Sequence, residues 1–165
     1  MWITTNYDGV VKDLVKVYKF GHQRAAARAI SDLMLGTLMD FNDPRDIAKL
    51  NYLVVSVPTA TTRVRQRSFD HSSLLAKTLA RKLNLTETSA LGRLGQTRQL
   101  GAKRPDRLAQ PEGNYFVRVP EAVKGRNVLV VDDVVTTGAT LRAATRALRQ
   151  AGAKRVDALV FAKRL

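Results

Sequence analysis

Apolar and polar positions alternate along this chain in short blocks with recognisable periods. Over 9–20, Val10, Val11, Leu14, Val15 and Tyr18 recur at helical spacing with Lys12, Lys16 and Lys19 outside them, which predicts an amphipathic helix with those five facing inward. A second helical pattern over 22–39 turns Ile30, Leu33, Met34 and Leu38 inward, and Asn-Asp-Pro-Arg-Asp at 42–46 breaks it. The β-branched run at 52–58 ends on Pro58 and predicts a buried strand. A basic polar loop leads to Phe69. A helix is expected over 70–85, with Asp70 at its N-cap and Leu74, Leu75, Leu79 and Leu83 on the core side. A weaker strand follows at 88–94. Residues 95–114 have no apolar periodicity, and a loop of that length is usually functional or disordered. Strands are expected at 114–120, 127–132 and 155–162, with a helix over 137–151 closed by Gly152.

Strands and helices alternate through the last two thirds, which favours an α/β fold with an open, mainly parallel sheet and helices on both faces, preceded by a helical N-terminal segment. Ligands of such sheets sit beyond the carboxyl ends of the strands. The chemistry is therefore expected just after Val57, near 94–110 and after Val131.

Composition narrows the classes. At 165 residues, with neither repeats nor a Ser/Gly-rich linker, one domain over 1–165 is expected: a helical or hood segment at 1–50 and a core sheet at 51–165. The chain has no cysteine, which excludes disulfides, thiolate zinc sites and a cysteine nucleophile. Its two histidines, His22 and His71, are too few for a histidine-rich metal site, and His71 reads as an ordinary helix-start residue. No apolar run approaches the ~20 residues that cross a bilayer, so membrane insertion is not expected. The first residues lack a secretory pattern, so the expected location is the cytoplasm. Lys and Arg number 28 against 14 acids, a formal charge of +14. That surface attracts polyanions without saying which.

The densest chemistry lies in VLVVDDVVTTGAT at 128–140. An apolar strand meets Asp132 and Asp133, and two apolar residues later Thr136, Thr137, Gly138, Ala139 and Thr140 turn into a helix. The first amides of a helix lack internal partners and the helix dipole adds positive charge there, so this turn makes a phosphate cradle. The threonine hydroxyls add donors, and Gly138 admits a ligand to the backbone. The aspartates repel that phosphate and suit nearby hydroxyls instead, directly or through Mg²⁺. Neighbours on a regular strand point to opposite faces, so both acids meet one ligand only if the strand ends at Asp132. A ribose 5-phosphate fits this description. The bland alternative is a threonine capping the helix beside aspartates that solvate a strand end. A Walker B strand or a receiver-domain acid pair also has this apolar run, but no G-x-x-x-x-G-K-[ST] occurs, and only 32 residues follow Asp133.

The segment resembles the phosphoribosyl-pyrophosphate (PRPP) motif of type I phosphoribosyltransferases. VPTATTRVRQRSFDHSSLLAKTLARKLNL at 57–85 and YDGVVKDLVKVYKFGHQRAAARAISDLM at 7–34 are similar to the corresponding regions of the ComF family, competence-associated proteins of that fold. The box Arg67-Ser68-Phe69-Asp70-His71 stands where that family has Arg-Gly-Phe-Asn-Gln. The Glu-Arg-x-x-Asn pattern is met by Asp106 and Arg107, with Asn114 displaced, and the family's cysteine-rich zinc module has no counterpart in this sequence. The resemblance implies that Thr59, Arg63 and Arg67 hold pyrophosphate, as arginine forks do, and that Arg98, Gln99, Lys103 and Arg107 lie on a mobile catalytic loop. Both loops also read as solvated basic segments. Related folds imply pairing into a homodimer.

Two functions follow. The first is Mg²⁺-dependent transfer of phosphoribosyl from PRPP, or binding of another phosphorylated ribose, with pyrophosphate released and an acceptor the sequence does not show. The second is a non-enzymatic competence or DNA-processing factor that keeps the fold and engages single-stranded DNA or a DNA helicase. Arg142, Arg146 and Arg149 share the outer face of the last helix, a solvated face or a DNA contact. Phe161 is expected in the core, with stacking on a base as the alternative.

Overall fold

A computed structural model describes residues 1–20, 24–58, 70–93 and 115–164. Seven strands and six helices are described: β1 Trp2–Asn6, α1 Gly9–Phe20, α2 Arg24–Asp40, α3 Pro44–Leu50, β2 Leu53–Ser56, α4 His71–Leu83, β3 Thr86–Thr88, β4 Leu91–Arg93, β5 Tyr115–Val117, α5 Pro120–Val123, β6 Asn127–Val135, α6 Ala139–Gln150 and β7 Arg155–Lys163. Five strands form one sheet in the order β1-β7-β6-β2-β3, and every pairing in it is parallel. Val131 of β6 lies opposite Ser56 of β2 on one side and Leu159 of β7 on the other. Parallel strands need crossovers, and the helices supply them on both faces.

One face is covered by α1, α2, α3 and α4. Their Val15, Tyr18, Ile30, Met34, Ile47, Leu75 and Leu79 pack against Leu129, Val131, Leu159 and Phe161. The other is covered by α6, whose Leu141, Ala144 and Leu148 meet Val55, Val128, Val130 and Val160. Alternate residues of β6 thus serve two cores, as a central strand's period of two requires. Phe161 is fully buried, the expected core role.

Several elements differ from the periodicity. β1 carries the pattern of neither a buried nor an alternating strand. It is an edge strand whose first four residues are half-buried, so no clear apolar face marks it. It brings the N-terminal segment into the main sheet. The break at 42–46 also starts α3, because Asp43 accepts from the Arg45 amide and Pro44 takes the first turn, where its missing N–H is not needed. Val10 and Leu33, expected inward, are exposed, because the buried stripes are narrower and pass through Val15, Tyr18, Ala26, Ala27, Ile30 and Met34. The weak strand at 88–94 resolves into β3 in the main sheet and β4, which pairs antiparallel with β5. Asp70 caps α4 as expected, accepting from the Ser73 amide.

Candidate functional site at the β6–α6 junction

β6 does not end at Asp132. It stays in register with β7 to Val135, opposite Lys163, before the chain turns through Thr136, Thr137 and Gly138 into α6. Gly138 is the N-cap residue, with φ of 74°, and no side chain caps the helix. That left-handed conformation costs any residue with a Cβ roughly 1–2 kcal/mol. Space is short as well: a Cβ at 138 would lie 3.1 Å from Arg142 Nη1. Arg142 holds the turn from outside, donating through Nη1 to the Thr137 carbonyl at 2.8 Å, while its own amide donates to the Gly138 carbonyl. The Ala139 amide makes only a long contact, 3.4 Å, to the Thr137 hydroxyl. Thr136 and Thr137 are exposed and Thr140 is half-buried. The opening turn of α6 therefore presents amides and hydroxyls at the carboxyl edge of the sheet, the arrangement that receives an anion.

Although the strand continues, both acids meet helices of the same face, Asp133 through α1 and Asp132 through α4. Asp133 extends the row of Leu129 and Val131 towards α1. It is buried and its Oδ2 meets Lys19 Nζ at 2.7 Å. Asp132 is half-buried, and its Oδ1 accepts from the Ser72 hydroxyl at 3.2 Å and from the Asp133 amide at 2.9 Å. Burial first, and then the adjacent Asp133 charge, push the Asp132 carboxyl up to about 7, while the Asp133 amide, Lys19 and Ser72 oppose the shift. Tyr115 of β5 closes another side. Its phenol is pushed up by burial and feels the Asp132 charge, against the pull of Arg93 and a hydrogen bond with Thr140. The strand thus continues past the point where it was expected to end, and the two carboxylates differ in their partners: Asp132 is free of ion pairs among the described residues, and Asp133 is bound to a lysine.

Lys19 is held where it is needed. It lies in the last turn of α1, where a helix dipole favours a cation. Its carbonyl accepts from His71 Nε2 at 3.0 Å, so that nitrogen carries the proton. The Tyr18 hydroxyl donates to the His71 carbonyl, and the two rings meet edge to face with centroids 5.1 Å apart. His71 thus joins α1 to the first turn of α4, a more specific role than an ordinary helix start. Ser72 and Lys19 are the site residues that the sequence did not disclose. Ser72 follows a capping aspartate and Lys19 belongs to a periodic row of lysines, so neither differs from its neighbours in pattern.

Among the described residues, no group of three or more His, Asp or Glu side chains could hold a metal ion. Asp132 can share a Mg²⁺ with substrate oxygens and water, a donor set this hard cation accepts. The Asp133 oxygen nearest Lys19 is already used. The candidates Thr59, Arg63 and Arg67, and likewise Arg98, Gln99, Lys103 and Arg107, lie outside the described residues. No helix among those described is long and apolar enough to cross a membrane.

A sequence model of the family described as the phosphoribosyl transferase domain matches residues 70–165, more than half of the chain. The chain is a member of that family. Within it the chain is ComF-like. It is 26% identical over 148 residues to "Competence protein ComFC" of Bacillus subtilis, covering 88% of this chain and 56% of that protein. It is 29% identical over 154 residues to "DNA utilization protein YhgH" of Escherichia coli K12, covering 92% of this chain and 66% of that protein. The chain therefore spans less than two thirds of these curated relatives. A solved structure described as the allosteric regulatory enzyme of purine biosynthesis superposes with a TM-score of 0.54, at 17% identity, over 88% of this chain and 29% of that one. That likeness shows the phosphoribosyltransferase fold.

Proposed function

We propose that this ComF-like phosphoribosyltransferase domain binds the phosphorylated ribose of PRPP at the β6–α6 junction and transfers phosphoribosyl to an acceptor, releasing pyrophosphate. The observation that carries this reading is the helix start at Gly138, left without a side-chain cap just beyond a strand that carries an unbridged carboxylate. The amides and hydroxyls of 136–140 take the 5-phosphate. The Asp132 carboxylate accepts from ribose hydroxyls and steadies positive charge that develops on the ring as the C1–O bond to pyrophosphate breaks and the bond from C1 to the acceptor forms. The acceptor's proton leaves with solvent or pyrophosphate. Asp133, bridged to Lys19, forms the inner wall of the same site. Thr59, Arg63 and Arg67 are the candidates for holding pyrophosphate, and Arg98, Gln99, Lys103 and Arg107 for closing over it, on the strength of the family resemblance. Mg²⁺, held mainly by substrate oxygens with Asp132 beside it, would neutralise the leaving group. The domain works largely by positioning and electrostatics.

The experiment is pyrophosphate release from PRPP across a panel of nucleobases, with ribose 5-phosphate binding measured alongside. Turnover that is lost in Asp132→Asn supports the reading. Absence of ribose 5-phosphate binding overturns it.

One observation favours the second reading, DNA engagement. A groove of about 690 Å³ runs along α6 from Gly138, lined by Arg142, Arg146 and Arg149 over Leu141 and Val156. Cations spaced along an apolar floor suit a phosphate backbone with bases laid against the protein. The names of ComFC and YhgH, competence and DNA utilization, are consistent with that partner. A DNA helicase and a second copy of the chain are further partners proposed under the same reading.

A further inference from the structure

We infer that Lys19 is the built-in counter-ion of the sugar site, standing on Asp133 where a divalent cation would otherwise bind, so that this chain takes up a phosphorylated ribose without a protein-bound metal. The inference rests on the ribose reading above for its ligand, but not for its cation chemistry. Mg²⁺ that arrives on pyrophosphate is a separate matter, since the substrate's own oxygens carry it.

Three observations support the inference. The contact is short, 2.7 Å, and largely removed from water, with the Lys19 and Asp133 side chains 20% and 11% exposed. An ion pair so placed is hard to break, because each partner would be left buried and uncompensated. Second, the lysine is anchored by its own main chain rather than by its flexible stem: His71 Nε2 donates to the Lys19 carbonyl, and the Tyr18 hydroxyl fixes the His71 carbonyl in turn. The end of α1 from which the side chain reaches Asp133 is thereby fixed against α4. Third, the site is poor in ligands for an ion of its own, since no group of three or more acids and histidines is placed to hold one among the described residues. Two adjacent carboxylates repel one another, and something must offset that charge. Here an element distant in sequence supplies it, 114 positions before Asp133.

An ammonium also brings three donors. One is used on Asp133, and the others can serve a ribose hydroxyl from the side opposite Asp132. Lys19 is therefore a positioning residue for Asp133 and a candidate contact for the sugar. It makes the charge balance of the site independent of the surrounding metal concentration.

The test uses ribose 5-phosphate, which lacks the pyrophosphate that would itself chelate metal, and Mn²⁺ alone as a spectroscopic probe. Wild type, Lys19→Met and Lys19→Arg are compared by calorimetry with and without Mg²⁺, and by Mn²⁺ electron paramagnetic resonance. Wild type is expected to bind ribose 5-phosphate with affinity that changes less than about twofold when Mg²⁺ is removed, and Lys19→Met to lose about tenfold or more and recover it with Mg²⁺. Lys19→Arg should resemble wild type. Lys19→Met should also acquire a Mn²⁺ site that wild type lacks. Equal Mg²⁺ dependence in wild type and Lys19→Met, or a tight Mn²⁺ site in the wild-type protein, overturns the inference. The second of these is read on the wild type alone, so it stands even if Lys19→Met does not fold. If ribose 5-phosphate binds to none of the proteins, the ribose reading fails while the Mn²⁺ comparison still decides the role of Lys19.

Discussion

The hydroxyl of Tyr18, near the end of α1, donates to the main-chain carbonyl of His71, at the start of α4. Both residues are buried, and together they tie the N-terminal helix to the edge of the sheet where the candidate site lies. Burial, with the charges of Asp133 and Asp70, pushes the phenol up, so Tyr18 stays neutral and keeps its proton across the working range. Tyr18→Phe keeps the ring and removes the donor. It should destabilise the protein by about 0.5–1.5 kcal/mol, the net worth of one buried hydrogen bond, since the His71 carbonyl keeps its place in the helical ladder of α4. Urea unfolding checks this, and an unchanged midpoint would count against the clamp.

Asp132 links the site to pH. Its carboxyl is raised from 3.8 to about 7, so the folded chain holds a proton that the unfolded chain releases at lower pH. Between about pH 4 and 7 the native state binds more protons, and stability falls as pH rises through that window, then levels off. Asp132→Asn removes this slope and should raise stability near pH 8 by on the order of 1–3 kcal/mol, allowing for partial solvent access. Thermal melts of both proteins from pH 4 to 8 test the sign. The same variant should lose phosphoribosyl transfer, so stability gained and function lost are expected together.

Gly138→Ala tests the phosphate turn. Its φ of 74° and the Arg142 nitrogen 3.1 Å from where a Cβ would stand both oppose a side chain. A loss of about 1–2 kcal/mol in stability is expected from the left-handed backbone. The amides would also move, so ribose 5-phosphate affinity should fall by about tenfold or more. An unchanged affinity would place the anion elsewhere.

The arginine groove along α6 gives a separate prediction. Arg146→Glu combined with Arg149→Glu reverses two charges on one helix face without touching the acid pair. If single-stranded DNA lies there, affinity drops and the dependence of binding on salt becomes shallower by about 0.7 for each phosphate no longer neutralised. Transfer from PRPP should be unaffected. An unaltered salt slope would remove this groove from the DNA reading.

The middle of the fold was legible from local pattern, because β2, β6, β7 and the flanking helices carry continuous apolar runs or helical stripes that burial on two faces demands. β1 was not, since a half-buried edge strand has no strong periodicity, and α3 hid behind a sequence that signals a break as readily as a cap. Within the site, the phosphate turn was readable because it is one contiguous stretch, in which strand end, threonines, glycine and helix start follow one another directly. What the acids do was not. Only the packing of α1 and α4 against the sheet put Lys19 on Asp133 and Ser72 on Asp132. The chain by itself determined an α/β sheet and an anion-binding helix start, because hydrogen-bond geometry and side-chain period are local. The tertiary structure alone decided which carboxylate stays available, because that depends on groups brought together from positions far apart in the chain.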